Sequence, residues 1–139
     1  MRTHRIAVIA GDGIGPDVLG EGRRVLDAAA QVDGGFELRY DDFPWSCQYY
    51  LEHGRMAPPD FLDTLRGFDA IYLGAVGYPG VPDHVSLWEL LLPIRKAFSQ
   101  YVNLRPVRLL KGITSPLANR GPKDIDFVCV RENTEGEYS

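Results

Sequence analysis

The sequence predicts a mixed α/β fold containing buried parallel strands, and three observations carry that expectation. Ile6-Ala7-Val8-Ile9-Ala10 is a compact apolar run ended by glycines, as a strand covered on both faces would be. Apolar residues then recur at helical spacing, Val18, Leu19, Val25, Leu26 and Ala29, giving strand, tight turn and helix in succession. A second apolar run, Ala70-Ile71-Tyr72-Leu73, opens into Gly74-Ala75-Val76-Gly77, and open α/β sheets place ligand crevices at such carboxyl ends of strands.

Each element follows in order. The first helix is expected to run to about Val32, with Gly34-Gly35 ending it. Phe36 to Tyr40 alternates like a second strand, and Ser46 to His53 and Pro59 to Arg66 read as short helices. Ala70 to Leu73 is the third strand. Ser86 or Leu87 should begin a helix running to about Gln100 and carrying Arg95, with Leu87, Leu90, Leu91 and Leu92 as its core face. Tyr101 to Val107 is extended, Pro106 marking an edge or strand end, and Phe127 to Val130 is expected to be one more buried strand. Lys111 to Lys123, with Gly112, Pro116, Gly121 and Pro122, reads as a loop or domain crossover. No internal repeat or low-complexity segment is present.

Composition narrows the function classes. At 45% hydrophobic and 24% charged residues, with no apolar run long enough to cross a bilayer and no signal-peptide pattern after Met1, the chain is expected to be soluble, cytoplasmic and free of membrane partners. A net charge of −4 argues against nucleic acid, whose binding rests on phosphate neutralisation. Cys47 and Cys129 lack metal-ligand spacing and are expected to be reduced structural thiols.

The residues with the clearest chemistry are basic. Arg95 in Leu92-Pro93-Ile94-Arg95, Arg105 in Asn103-Leu104-Arg105-Pro106, and Arg131 in Val130-Arg131-Glu132-Asn133 would, if brought together, hold a small di- or tricarboxylate, because each guanidinium presents a planar fork matching a carboxylate. Tyr138 follows Arg131 by seven residues and is a candidate proton carrier beside the bound acid. Scattered Arg55, Arg66 and Arg108 are read as surface ion-pair partners, and His84 as a surface or capping residue. Gly11, Gly13 and Gly15 sit between strand and helix as in a dinucleotide fingerprint. Pro16 occupies the sixth position of that pattern, where glycine is required, so an ordinary Rossmann site is disfavoured. A tight turn without a ligand is the plain alternative.

Gly11-Asp12-Gly13-Ile14-Gly15-Pro16, Leu73-Gly74-Ala75-Val76-Gly77, the Arg95 and Arg105 segments and Val130-Arg131-Glu132-Asn133-Thr134-Glu135-Gly136 together resemble the metal-dependent, NAD-linked decarboxylating dehydrogenases of 2-hydroxy acids, the isocitrate/isopropylmalate dehydrogenase family. Asp42-Phe43-Pro44-Trp45-Ser46-Cys47, Val81 to Trp88 and Tyr101 to Arg108 look like its tartrate and D-malate branch. The resemblance runs from Ile6 to Ser139 and implies an isopropylmalate dehydrogenase-like, non-Rossmann fold, present in part. Residues 1–100 would be the first part of a cofactor and substrate domain, and 101–139 a crossover and the first strands of a second, dimerisation domain. It implies Arg95, Arg105 and Arg131 as substrate-carboxylate ligands and Tyr138 as the acid that protonates the enolate. Ser86 and Trp88 would line the substrate's variable end, and Gly13, Ile14, Gly74, Ala75, Val76 and Gly77 would lie against NAD. It also implies Mg or Mn, a monovalent cation such as K, and a homodimer when full length. Family members are more than twice as long, and their metal-binding aspartates and catalytic lysine have no counterpart here, so the 139 residues alone are expected to be catalytically incomplete. Two other classes remain open: a non-catalytic fragment or regulatory partner retaining the anion clamp, and a simple nucleotide-binding module.

Overall fold

The computed structural model describes residues 1–135, which form two compact units, Met1–Ile94 and a second beginning at Arg95. The sequence reading places a division after residue 100, whereas the units part within a helix.

In the first unit, β1 (Arg2–Gly11) is the central strand of a three-stranded parallel sheet of order β2-β1-β3, with β2 (Phe36–Phe43) and β3 (Ala70–Ala75) on its flanks. Register runs from Arg2 opposite Phe36 to Ile9 opposite Phe43, and from Ile6 opposite Ala70 to Gly11 opposite Ala75. A central strand must bury both faces, which is why Ile6 to Ala10 is continuously apolar. Alternation sends Ile6 and Val8 to one side, packed with Leu19, Leu38, Tyr40 and Tyr72, and sends the fully buried Ala7 and Ile9 to the other. Near the carboxyl end of β2, Phe43 stacks on Trp45 at 4.4 Å between ring centroids, and Phe61 meets Trp45 edge-on.

Helix α1 (Gly15–Asp33) carries Pro16 in its first turn, where the missing N–H is no loss, and ends where Gly34 adopts a left-handed conformation (φ 70°). Helix α2 (Cys47–His53) is capped by the Ser46 hydroxyl, which accepts from the Tyr49 N–H at 3.1 Å; α3 (Phe61–Leu65) follows. The next helical stretch starts earlier than expected. Pro82, with φ −61°, leads into α4 (Asp83–Ser86), a π-helical turn (Leu87–Leu91) and α5 (Leu92–Ala97). Leu90 and Leu92 are buried as expected, while Leu87 and Trp88, at the start of the π turn, are exposed, Trp88 to 52%.

In the second unit, β4 (Val102–Arg108) and β5 (Asp126–Glu132) pair antiparallel, Val102 opposite Glu132 and Arg108 opposite Asp126. Pro106 lies within β4, opposite Val128. Phe127, Val128 and Val130 are exposed rather than buried: a two-stranded ribbon has no second layer within its own unit to cover them. Cys129 is likewise exposed, a correction to the structural role expected of both thiols; Cys47 is buried and both are free. Among the described residues no helix is long and apolar enough to cross a membrane.

Candidate functional site

Strand pairing brings two of the three arginines to one side. Residues opposite each other in an antiparallel ribbon point to the same face, and here Asn103 opposes Arg131 while Arg105 opposes Cys129. Arg105 is therefore the diagonal neighbour of Arg131. Arg95, on the last turn of α5, completes the group: its pKa is lowered by burial first, then by the nearby charges of Arg131 and Arg105. Three cations lie within electrostatic reach of one another, and such mutual repulsion falls when a dianion sits between them. Arg108 belongs to the other face of the ribbon, where its Nη2 donates to Asp126 Oδ2 at 3.0 Å. Tyr138 lies outside the described residues.

The segment after Arg131 is tightly organised. The Glu132 carboxylate accepts from the Thr134 N–H at 2.8 Å, the Thr134 hydroxyl at 2.8 Å and the Glu135 N–H at 2.7 Å, and these bonds hold its pKa down at about 2. Asn133 is buried, donates to the Gln100 carbonyl, and has an Oδ1 without a partner among the described residues. A buried acceptor left in that state costs about 1–3 kcal/mol.

A separate constellation occupies the first unit, at the carboxyl ends of β1 and β3. Gly11 (φ 75°) and Gly15 approach the backbone of Ala75 so closely that an added Cβ at either would collide with a carbonyl oxygen, of Ala75 for Gly11 and of Ala10 for Gly15. Gly74 is packed in the same way against Ala10 and Leu19, so its small size serves strand and turn packing. Gly13 (φ 58°) and Gly77 have nothing within 4 Å of an added Cβ, and Ile14 and Ala75 are exposed, with Val76 half-buried. Ser86 is buried and its hydroxyl donates to the Asp83 carbonyl at 3.0 Å, leaving oxygen lone pairs as its available function.

Asp12 organises this region, a role that sequence reasoning missed. Its buried carboxylate accepts from the N–H groups of Cys47 at 2.9 Å, Gln48 at 3.2 Å and Gly77 at 3.2 Å, and its own N–H donates to the Ala75 carbonyl at 2.6 Å. One side chain thus ties the glycine turn to the start of α2 and to the loop after β3. The available signal was an acid flanked by two glycines at a strand end, a position that ordinarily reads as solvated. Burial, reinforced by Asp12, pushes the Cys47 thiol up to about 11. For a divalent metal the fit is poor: among the described residues no three His, Cys, Asp or Glu side chains converge on a common point.

Residues 5–139 match the model of a family described as isocitrate/isopropylmalate dehydrogenase. Across 141 aligned residues the chain is 60% identical to the D-malate dehydrogenase [decarboxylating] of Escherichia coli, covering 100% of this chain and 39% of that protein. It is 61% identical to a tartrate dehydrogenase/decarboxylase of Pseudomonas putida, with 99% of this chain and 38% of that protein covered. An isocitrate dehydrogenase crystal structure from Methylococcus capsulatus superposes with a TM-score of 0.74 at 28% identity, over 97% of this chain and 36% of that one. The chain spans about two fifths of the length of these curated relatives.

Proposed function

This chain belongs to the isocitrate/isopropylmalate dehydrogenase family, and from that premise we propose that it supplies the acid clamp and part of the NAD face of an enzyme that oxidises and decarboxylates a small 2-hydroxy dicarboxylic acid such as D-malate or tartrate. The observation that supports it is the grouping of Arg95, Arg105 and Arg131 around a common electrostatic centre. Guanidiniums stay charged throughout the physiological range and bind carboxylates bidentately, so the clamp fixes both ends of a dicarboxylate and leaves the C2 carbon presented in one orientation.

NAD held against the glycine turn and the loop after β3 would supply the acceptor for the C2 hydride. The open space beside Gly13 and Gly77, with Ile14, Ala75 and Val76 next to them, leaves room for its rings, and Asp12 holds the two loops that bear these residues. Tyr138, which lies outside the described residues, is the proton donor that this reading assigns to the enolate left after decarboxylation. The divalent metal expected of the family would polarise the C2 hydroxyl, and among the described residues no three His, Cys, Asp or Glu side chains converge to hold it. On this reading the full-length enzyme turns over as a homodimer.

Arg105→Lys in the full-length enzyme tests the reading. A point ammonium cannot reproduce the fork, so kcat/KM for D-malate or tartrate should fall by roughly a hundredfold or more, with KM raised. Arg108→Lys, on the opposite ribbon face, should change it less than about twofold. Wild-type kinetics in Arg105→Lys would remove the clamp from the reaction.

A further inference from the structure

Arg95 is placed by a helix end whose geometry depends on a residue far along the chain. Ser99 adopts a left-handed conformation (φ 52°) one residue beyond Phe98, which follows the end of α5. Its N–H donates to the Lys96 carbonyl at 3.2 Å, and the Gln100 N–H donates to the Arg95 carbonyl at 2.9 Å. These are the paired bonds of a Schellman cap, formed with serine where glycine is usual, so the turn needs outside support. That support comes from Asn133, 4% exposed and two residues beyond Arg131, whose Nδ2 donates to the Gln100 carbonyl at 3.1 Å. One buried amide therefore joins the end of the strand carrying Arg131 to the cap that holds Arg95.

We propose that Asn133 is a positioning residue for dicarboxylate recognition: by holding the Gln100 carbonyl it sets the spacing between Arg95 and Arg131. The inference rests on the reading of the three arginines as an acid clamp. Arg95 feels the charge of Arg131, and the Asn133 amide ties together the two elements that carry them. A neutral amide suits this role, because it links the two elements without adding charge to the cluster or competing for its guanidiniums.

The experiment uses the full-length enzyme with D-malate as the probe, and compares Asn133→Ala, Arg95→Lys and the double variant by kcat/KM for D-malate and by the Kd for NAD. Asn133→Ala should raise KM for D-malate about tenfold and leave the Kd for NAD within about twofold. In the Arg95→Lys background, where the fork to be positioned is already gone, the same change should cost less than about twofold more. The proposal is overturned by an unchanged KM, by a parallel loss of NAD affinity, which marks general destabilisation, or by a full tenfold loss recurring in the Arg95→Lys background. If Arg95→Lys alone leaves kcat/KM intact, the clamp reading fails and takes this inference with it; if Arg95→Lys is impaired but Asn133→Ala is not, the clamp stands and only the positioning role falls. Should Asn133→Ala not fold, Asn133→Leu, similar in shape without the donor, is read by the same criteria.

Discussion

Replacing Asp12 should unfasten three segments at once, and two substitutions grade the effect. Its carboxylate accepts N–H groups from residues 35, 36 and 65 positions away, at 2.9, 3.2 and 3.2 Å. Asp12→Ala strands all three donors beside a vacated buried site; hydrogen bonds to a charged acceptor contribute about 1.5–3 kcal/mol each, but two of these are long and water enters part of the space, so the expected loss is ~3–5 kcal/mol. Asp12→Asn keeps one acceptor oxygen, which best serves Cys47 and Gly77 from the position of Oδ2. Its NH2 then faces the Gln48 N–H, one bond is lost, and the loss is ~1–2 kcal/mol. Urea unfolding followed by Trp45 fluorescence provides the assay, because Trp45 is buried, is stacked on Phe43 and lies two residues before Cys47. An alanine variant within ~0.5 kcal/mol of wild type would refute the argument, since surface substitutions cost no more than that. So would an asparagine variant as unstable as the alanine one.

Two further outcomes are expected. Trp88→Ala should leave stability nearly unchanged, since the side chain is half exposed, yet should shift the kcat/KM ratio of isopropylmalate to D-malate upward by ~1–3 kcal/mol in the full-length enzyme; an unchanged ratio would remove Trp88 from the specificity pocket. Stability should be flat from about pH 5 to pH 9 and fall as the pH rises from about 9 to about 12. Burial lifts Cys47 from 9.0 to about 11, and burial with the bond to Asp27 lifts Tyr40 from 10.0 to about 12, so over this range the unfolded chain has released protons that the native one retains. Urea midpoints at pH 8, 10 and 11 check this, and Cys47→Ala should flatten the lower part of the fall; a midpoint that holds steady in the wild type would contradict it.

By itself the sequence determined what local patterns can carry. The apolar run Ile6 to Ala10 read as a strand buried on both faces, Gly34 read as the end of α1, and Ser46 as the start of α2. The family and its three arginines were also legible, because motifs are contiguous strings. Tertiary structure alone decided what those residues meet. Arg105 and Arg131 share a face because of the antiparallel register, which no single strand contains. Asp12 and Asn133 became structural ties because their partners lie 33 to 65 residues away, and a polar side chain in a turn looks the same in sequence whether water or a distant N–H or carbonyl satisfies it. Phe127 to Val130 read as a buried strand because apolar composition records what a strand is able to cover, whereas its exposure depends on whether a second layer is packed against it.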